Sequence, residues 1–409
     1  MNLNLKTKEV TKKYIDYIGK SKPEKLAEYG LNVVIAGREG VQVKDSEGKY
    51  YYDCFCSGGQ QVIGNYRPDI REVFREALSN YDLGNFILMS AQKASLAKLL
   101  AEITPGKLKN TVYGVGRGEA NDFSMKLVRG ATGRKEIICF KGAFHGQTGF
   151  ALSASDDPRQ EELFGPLIPG IKRIPLESSY IEQSITPETA GVIIEPIQSD
   201  SGVIDIPGNL LKLIRARCNK TGAALIIDEG QTAFGRTGIL FECMRHDVTP
   251  DVLNVAKGMG GTFYPISASV FTPRLNRFMI THPLVHLSTF GGADLGCIVA
   301  EATIKLINKN KLWENADLRG AQLRKGLQVI AATSKGKLSN AYGSGLLLKI
   351  EAENAETAEK FTAEMATKGL IALPAPMNPA VIRFTPPIDI TASQVDAILE
   401  IAEAAAKTL

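Results

Sequence analysis

A chain of 409 residues, 44% apolar and 22% charged, has the length of two or three domains, or of one large α/β unit with a smaller piece attached. Its 48 Lys and Arg against 44 Asp and Glu leave a net charge of +4, too balanced for a protein that grips nucleic acid by neutralising phosphates. No apolar run approaches the roughly 18 residues that span a bilayer, MNLNLKTKEVTKKY lacks the apolar core of a signal peptide, and six Cys make no disulfide framework. The expectation is a cytoplasmic protein with neither nucleic-acid nor membrane partners.

Residues 1–30 read as charged helix. Between 32 and 55, NVVIAG, VQVKD and YYYDCF read as strands, the last two joined into a hairpin by the turn Ser-Glu-Gly-Lys. Cys54 and Cys56 form a C-x-C pair without the further ligands a zinc site needs, and read as two half-buried thiols on a strand. Segments 68–81 and 91–101 read as helices, the second ended before Pro105. Strand–helix alternation follows. The runs EIICF (136–140), GVIIEP (191–196), ALIIDE (224–229) and VLNVAK (252–257) are short, continuous and rich in Ile and Val, as in a parallel sheet covered on both faces. Helix 209–222 separates two of them. Pro283 between His282 and His286 argues against a shared helix face. From about residue 311, helices 312–333, 355–369 and 393–409 alternate with strands 345–352 and 380–387, which suits a smaller α+β domain with the N-terminal segment as neighbour.

Ligands of open α/β sheets bind beyond the carboxyl ends of the strands. Glu195, Asp228 and Lys257 end three of the apolar runs and are expected to converge on one crevice. A lysine in a low-dielectric crevice loses its proton readily and can form a Schiff base; read alone, Lys257 is a solvated lysine at a strand end. A carboxylate at a buried strand end, such as Asp228, needs a cationic partner. A protonated pyridine nitrogen, as in pyridoxal phosphate (PLP), is one candidate; an internal salt bridge is another. Gln231 stands three residues on, within reach of a phenolate oxygen. Gly116, Arg117 and Gly118 precede the helical pattern EANDFSMKLVR, a place where backbone N–H groups cradle phosphate. Phe144, before His145 and Gly146, could stack on a planar ring; alone it reads as core.

Taken in order, GEAND, FHG, EPIQ, DEGQTAFGRTG, AKGMGG, STFGG and VIRFTPP resemble the class III aminotransferases, PLP enzymes of fold type I (the aspartate-aminotransferase-like α/β fold). The resemblance runs from about residue 30 to the C-terminus. ITPGKLK, GAFHG, PLIPG and HLSTFGG also resemble, less specifically, the putrescine aminotransferase branch, which makes the chain nearest in look to the putrescine/ornithine aminotransferases. It implies a large PLP-binding domain with a mainly parallel sheet over 61–310 and a small α+β domain over 311–409. Residues 1–60 would contribute to the small domain and to the interface of a homodimer. It also implies roles. Lys257 would carry the cofactor and shuttle the proton, and Asp228 would pair with the ring nitrogen. Gln231 would approach the phenolate oxygen, and Phe144, beside His145, would stack on the ring. The backbone at Arg117 and Gly118, behind Gly116, would hold the phosphate, and Glu195 would stand at the cofactor. Thr289 would reach the phosphate in the neighbouring subunit. Arg383 would bind a substrate carboxylate through its guanidinium fork.

The chain departs from that family at several points. The usual Ser-Gly-Thr or Ser-Gly-Ser of the phosphate loop reads Gly116-Arg117-Gly118, so the phosphate-binding hydroxyl is missing. Gln147 stands where branches that use 2-oxoglutarate often carry Arg, and an amide does not replace a guanidinium; the putrescine branch also lacks that Arg, so 2-oxoglutarate stays open while an ornithine- or acetylornithine-type assignment is weakened. EPxQGExG becomes EPIQSDSG, and Asp200 is expected to pair with Arg383 when no dicarboxylate is bound. GGNP reads Gly291-Gly292-Ala293-Asp294. Gln60 and Gln61 replace small apolar residues, either to bind a polar substrate group or to sit at the dimer interface. The leading expectation is transfer of nitrogen from a terminal amine (a diamine, an ω-amino acid or a related amine) to a 2-keto acid, in ping-pong fashion. The alternatives are a PLP-dependent lyase, decarboxylase or epimerase on the same scaffold, and a non-enzymatic homologue, against which the retained Lys257, Asp228 and Gln231 argue.

Overall fold

The apolar runs after residue 110 become the middle of a seven-stranded sheet in a computed structural model that describes residues 7–84 and 87–409. Its order is Asn110–Gly114, Ser267–Phe271, Val252–Val255, Ala224–Asp228, Thr189–Ile194, Glu136–Phe140, Ile171–Ile174. The last five strands are mutually parallel, and Ser267–Phe271 runs against both of its neighbours. Every residue of Thr189–Ile194 and Ala224–Asp228 is buried, which is why those runs are apolar without alternation.

Successive side chains still go to opposite faces. Val192, Ile194, Leu225 and Ile227 pack with Leu211 and Ile214 of helix Gly208–Thr221. Ile193, Ala224 and Ile226 pack with Phe123, Leu127 and Val128 of helix Arg117–Thr132. The strands stop at Ile194, Asp228 and Val255, so Glu195 and Lys257 stand just past the tips rather than within the strands. Three strands of this sheet have no apolar run to announce them: NTVYG, IKRI and SASVF alternate, or carry small and polar residues.

At the N-terminus, helices Thr7–Tyr17 and Ser21–Glu28 precede strands Ile35–Glu39, Gln42–Asp45 and Tyr50–Asp53. The reading of residues 1–6 as helix lies outside the described residues. Asp45 holds the Ser-Glu-Gly-Lys turn by accepting from the amides of Glu47 and Lys49 at 2.9 Å each. Strand Tyr50–Asp53 pairs in parallel with Leu370–Ile371. The C-terminal stretch forms an antiparallel sheet in the order Leu338–Ser344, Leu347–Ala352, Asn378–Phe384, Leu373–Ala375. Helices Leu312–Thr333, Ala355–Thr367 and Ala392–Ala406 accompany it, the last opened by a Thr391/Gln394 capping box.

The two thiols differ from their sequence reading. Cys54 and Cys56 follow the strand instead of lying in it, and both are fully buried. Burial holds both thiols well above the ordinary range, in their unreactive form. Among the described residues no cluster of His, Cys, Asp and Glu could hold a metal ion, and no helix is long and apolar enough to cross a membrane.

Candidate active site

Parallel strands bring their carboxyl tips to one edge, and the polar residues that follow them meet there. Asp228 ends its strand, 1% exposed. One carboxylate oxygen accepts from Gly230 N at 3.0 Å; the other accepts from Asn121 Nδ2 at 2.7 Å and His145 Nδ1 at 2.8 Å. Arg117 Nε lies 3.0 Å from both. Burial alone pushes this carboxyl up, but the charge of Arg117 and the bond from His145 hold it well below the usual carboxylate range. Asn121 is itself fixed: it accepts from Asn254 Nδ2 at 2.7 Å and donates to His145 O at 2.6 Å.

Arg117 is the first residue of helix Arg117–Thr132, and no side chain caps that helix. Its guanidinium turns inward. Nη2 lies 2.6 Å from Glu195 Oε1 and 2.9 Å from Asp228, and Cζ sits 5.7 Å from the centroid of the Phe144 ring. Nη1 is buried with no hydrogen-bond partner among the described residues, 3.9 Å from Asp200. The space for this side chain exists because residue 230 is glycine. A Cβ there would stand 2.7 Å from Arg117 Cδ and 2.8 Å from its Cγ and Nε. Glu195 is raised by burial in spite of Arg117, and its other oxygen accepts from Phe144 N at 2.8 Å.

Lys257 follows the fourth apolar run and takes a left-handed backbone, φ 46°. Its Nζ donates to Gly58 O at 2.7 Å and to Gln231 Oε1. Burial brings this amine down to about 8. Gly58 belongs to a run of four left-handed residues, Cys56 to Gly59, with φ of 48°, 52°, 74° and 84°. Such a run stores strain and turns a carbonyl onto the lysine. Gln231 Nε2 is buried with no partner among the described residues, and a Cβ on Gly59 would stand 2.0 Å from it.

Arg383, on strand Asn378–Phe384, completes the cluster. Its Nη1 bonds Asp200 Oδ1 at 2.9 Å and Ser199 Oγ at 3.0 Å. Burial raises Asp200, but Arg383, Lys257 and Arg117 together bring it below its usual range.

Of the residues singled out in the sequence, Lys257, Asp228, Gln231, Arg117, Phe144, His145, Glu195, Asp200 and Arg383 meet in this crevice. Gln147 is exposed and Gln60 half-buried, both outside the network, and Thr289 is exposed beside Phe290 on the segment 283–290. Gly116 and Gly118 flank Arg117 at the helix entrance. A Cβ on Gly118 would lie 2.8 Å from Thr148 Oγ1, so the space of the missing loop hydroxyl is taken by a hydroxyl from another loop. Asn121, Ser199, Thr148 and the carbonyl of Gly58 were missed. Only Asn121 had a signal, its place inside GEAND.

Comparison with known proteins gives one family. A model of the class III aminotransferases matches residues 26–406. The chain is 37% identical over 400 residues to an uncharacterized aminotransferase from Archaeoglobus fulgidus, covering 96% of this chain and 92% of the relative. It is 34% identical to a putrescine aminotransferase from Pectobacterium atrosepticum, covering 89% and 80%. Among solved structures, an (S)-enantioselective omega-transaminase from Thermomicrobium roseum superposes with a TM-score of 0.90 at 27% identity, over 99% of both chains. An ornithine aminotransferase from Toxoplasma gondii, with PLP at partial occupancy in its active site, shares the fold at a TM-score of 0.91 and 24% identity, over 100% of this chain and 96% of its own.

Proposed function

This chain belongs to the class III aminotransferase family, and on that premise we propose that it moves an amino group from a terminal amine to a 2-keto acid with PLP as cofactor. The residues of the crevice fit that group. Gln231 Nε2, a buried donor without a partner among the described residues, suits a phenolate oxygen. Lys257 offers an amine brought down to about 8, Asp228 a buried carboxylate oriented by Asn121 and His145 for a ring nitrogen, and the N-terminus of helix Arg117–Thr132 a seat for phosphate. The fit requires Arg117 to leave Asp228 and the face of Phe144. When bound, PLP supplies an aldehyde that takes the donor's nitrogen and a conjugated ring that accepts the electrons released at the donor carbon.

The protein supplies the rest. Lys257 would hold the cofactor and would carry the proton to and from the donor carbon. Asp228, oriented by Asn121 and His145, keeps the ring nitrogen protonated. Gln231 donates to the phenolate oxygen. Arg383 receives the carboxylate of the keto acid, and Asp200 neutralises it while a terminal amine occupies the pocket. The amine assignment draws support from the putrescine aminotransferase and the omega-transaminase among the relatives. A homodimer is part of the reading: Leu83, Leu88, Met89, Leu284, Leu287 and Phe290 are large apolar side chains left exposed on the single chain, the last three on the segment that carries Thr289. The observation that carries the reading is the half-buried Lys257 amine, flanked by Gln231 and within electrostatic reach of Asp228.

The test is the absorbance spectrum of purified holoprotein before and after putrescine, with no keto acid present. Loss of the cofactor band with stoichiometric pyridoxamine phosphate is expected. An unchanged band rejects putrescine, and if a wider amine panel releases only ammonia or carbon dioxide, transamination itself is wrong.

The Arg383–Asp200 contact makes a separate prediction. Asp200→Ala removes the counter-ion of a buried guanidinium, so a keto acid gains and an amine loses. The ratio of kcat/KM for 2-oxoglutarate to that for the amine donor is expected to rise about tenfold, a shift of about 1.4 kcal/mol. Paired steady-state kinetics check it, and an unmoved ratio removes Asp200 from substrate selection.

A further inference from the structure

We infer that Arg117 is a built-in occupant of the cofactor-ring slot: its guanidinium takes the place against Asp228 that the ring would take, and the ring loads by exchanging places with it. The inference rests on the PLP reading above. Three observations carry it. The guanidinium takes both groups that a pyridinium ring would need, lying 3.0 Å from each Asp228 oxygen by Nε and 5.7 Å from the Phe144 centroid by Cζ. A flat cation against a carboxylate and an aromatic face is the chemistry a protonated pyridine offers in the same place. The second observation is the seat. Gly230 leaves open the volume that Arg117 Cγ, Cδ and Nε fill, so the glycine and the arginine act as a pair. The third is the exit. Nη1 is a buried donor with no partner among the described residues, 3.9 Å from Asp200, while Nη2 already holds Glu195 at 2.6 Å. The guanidinium therefore lets go of Asp228 by turning about its Glu195 contact toward Asp200, and never becomes an unpaired buried cation.

Two consequences separate this role from that of a phosphate ligand. Buried Asp228 and Glu195 stay neutralised when the cofactor is absent, so the empty protein keeps its crevice ordered. Apparent affinity for the ring is reduced by the fraction of molecules in which Arg117 holds Asp228. A residue that only gripped the phosphate would instead raise affinity.

The experiment strips PLP from the holoenzyme and titrates pyridoxine 5′-phosphate by calorimetry. That probe carries ring and phosphate but no aldehyde, so Lys257 forms no bond to it. Arg117→Ala is expected to bind it about tenfold tighter than the unaltered protein, while its stripped form melts at a lower temperature. Gly230→Ala, whose new methyl meets Arg117, is expected to tighten binding as well, and to have no effect when Arg117 is already alanine. Equal or weaker binding by Arg117→Ala overturns the exchange and makes the guanidinium a cofactor ligand. Should Arg117→Ala not fold, Gly230→Ala decides alone: tighter binding supports the exchange, equal or weaker binding ends it. PLP is titrated in parallel. If neither the unaltered protein nor the variants gain a Lys257-dependent absorbance band, the cofactor reading has failed; if all gain it and the affinities agree, only the exchange has.

Discussion

Lys257→Ala is expected to lower turnover by about ten thousandfold and to leave the fold standing. Two physical features argue for that separation. The side chain is half-buried, and desolvation has already drawn its amine down to about 8 from 10.5, so its charge is a cost to folding rather than a support. Its left-handed backbone at φ 46° is unfavourable for alanine much as for lysine, so the exchange adds little strain. The same amine sets a pH course. In the unaltered protein stripped of cofactor, the uncharged form grows about tenfold per pH unit below 8 and levels above it. The rate of PLP capture, followed by stopped-flow absorbance, should trace that curve, and the variant should show no such step. Stability carries the sign of the depressed group: between about 8 and 10.5 the unfolded chain holds the proton that the folded chain has released, so stability rises with pH across that window. Turnover that survives the substitution would remove Lys257 from the chemistry altogether.

The parts of this site that could be read from sequence are those whose chemistry sits at the end of an apolar run. Ala224–Asp228 and Val252–Val255 must be buried on both faces, hence their Ile and Val, and hence the visibility of Asp228 and Lys257 as polar residues where apolar ones stop. The strand SASVF, which separates the parallel strands from Asn110–Gly114, has no such run and was not foreseen. The Asp200–Arg383 contact could be anticipated because the family resemblance aligned both residues, and it is present at 2.9 Å. Arg117 was legible as a departure but not in its direction. Whether it points inward depends on the volume beside Gly230, far along the chain, and glycine in DEGQ looks like any loop glycine until the two meet. The Gly58 carbonyl that receives Lys257 left no trace, because a backbone acceptor belongs to every residue and only the left-handed run from Cys56 aims this one. Thr289 is a different case: its expected phosphate contact needs a second copy of the chain, and on a single chain it is simply exposed.

Substitution of Asp228 should separate charge from packing. Asp228→Asn keeps the volume and one acceptor, and Arg117 retains Glu195 at 2.6 Å, so the loss of stability is expected to be modest. Turnover is expected to fall by about a hundredfold to ten thousandfold, because an amide cannot hold a ring nitrogen in its protonated form. Asp228→Ala goes further. Asn121 Nδ2, His145 Nδ1 and Arg117 Nε all lose their shared acceptor, and His145 is fully buried, so water does not readily take its place. Breaking one side of such a buried charge pair costs about 3–5 kcal/mol, measurable as a displaced midpoint in equilibrium urea unfolding. The pair of variants therefore predicts an ordering. The asparagine protein is slow but loses little stability, and the alanine protein is slow and loses much. If the asparagine protein turns over at the original rate, the negative charge of Asp228 serves Arg117 and the fold, and the ring nitrogen is governed by something else in the crevice. His145 would then be the first residue to examine, since its Nδ1 reaches Asp228 at 2.8 Å while its Nε2 is buried with no partner among the described residues.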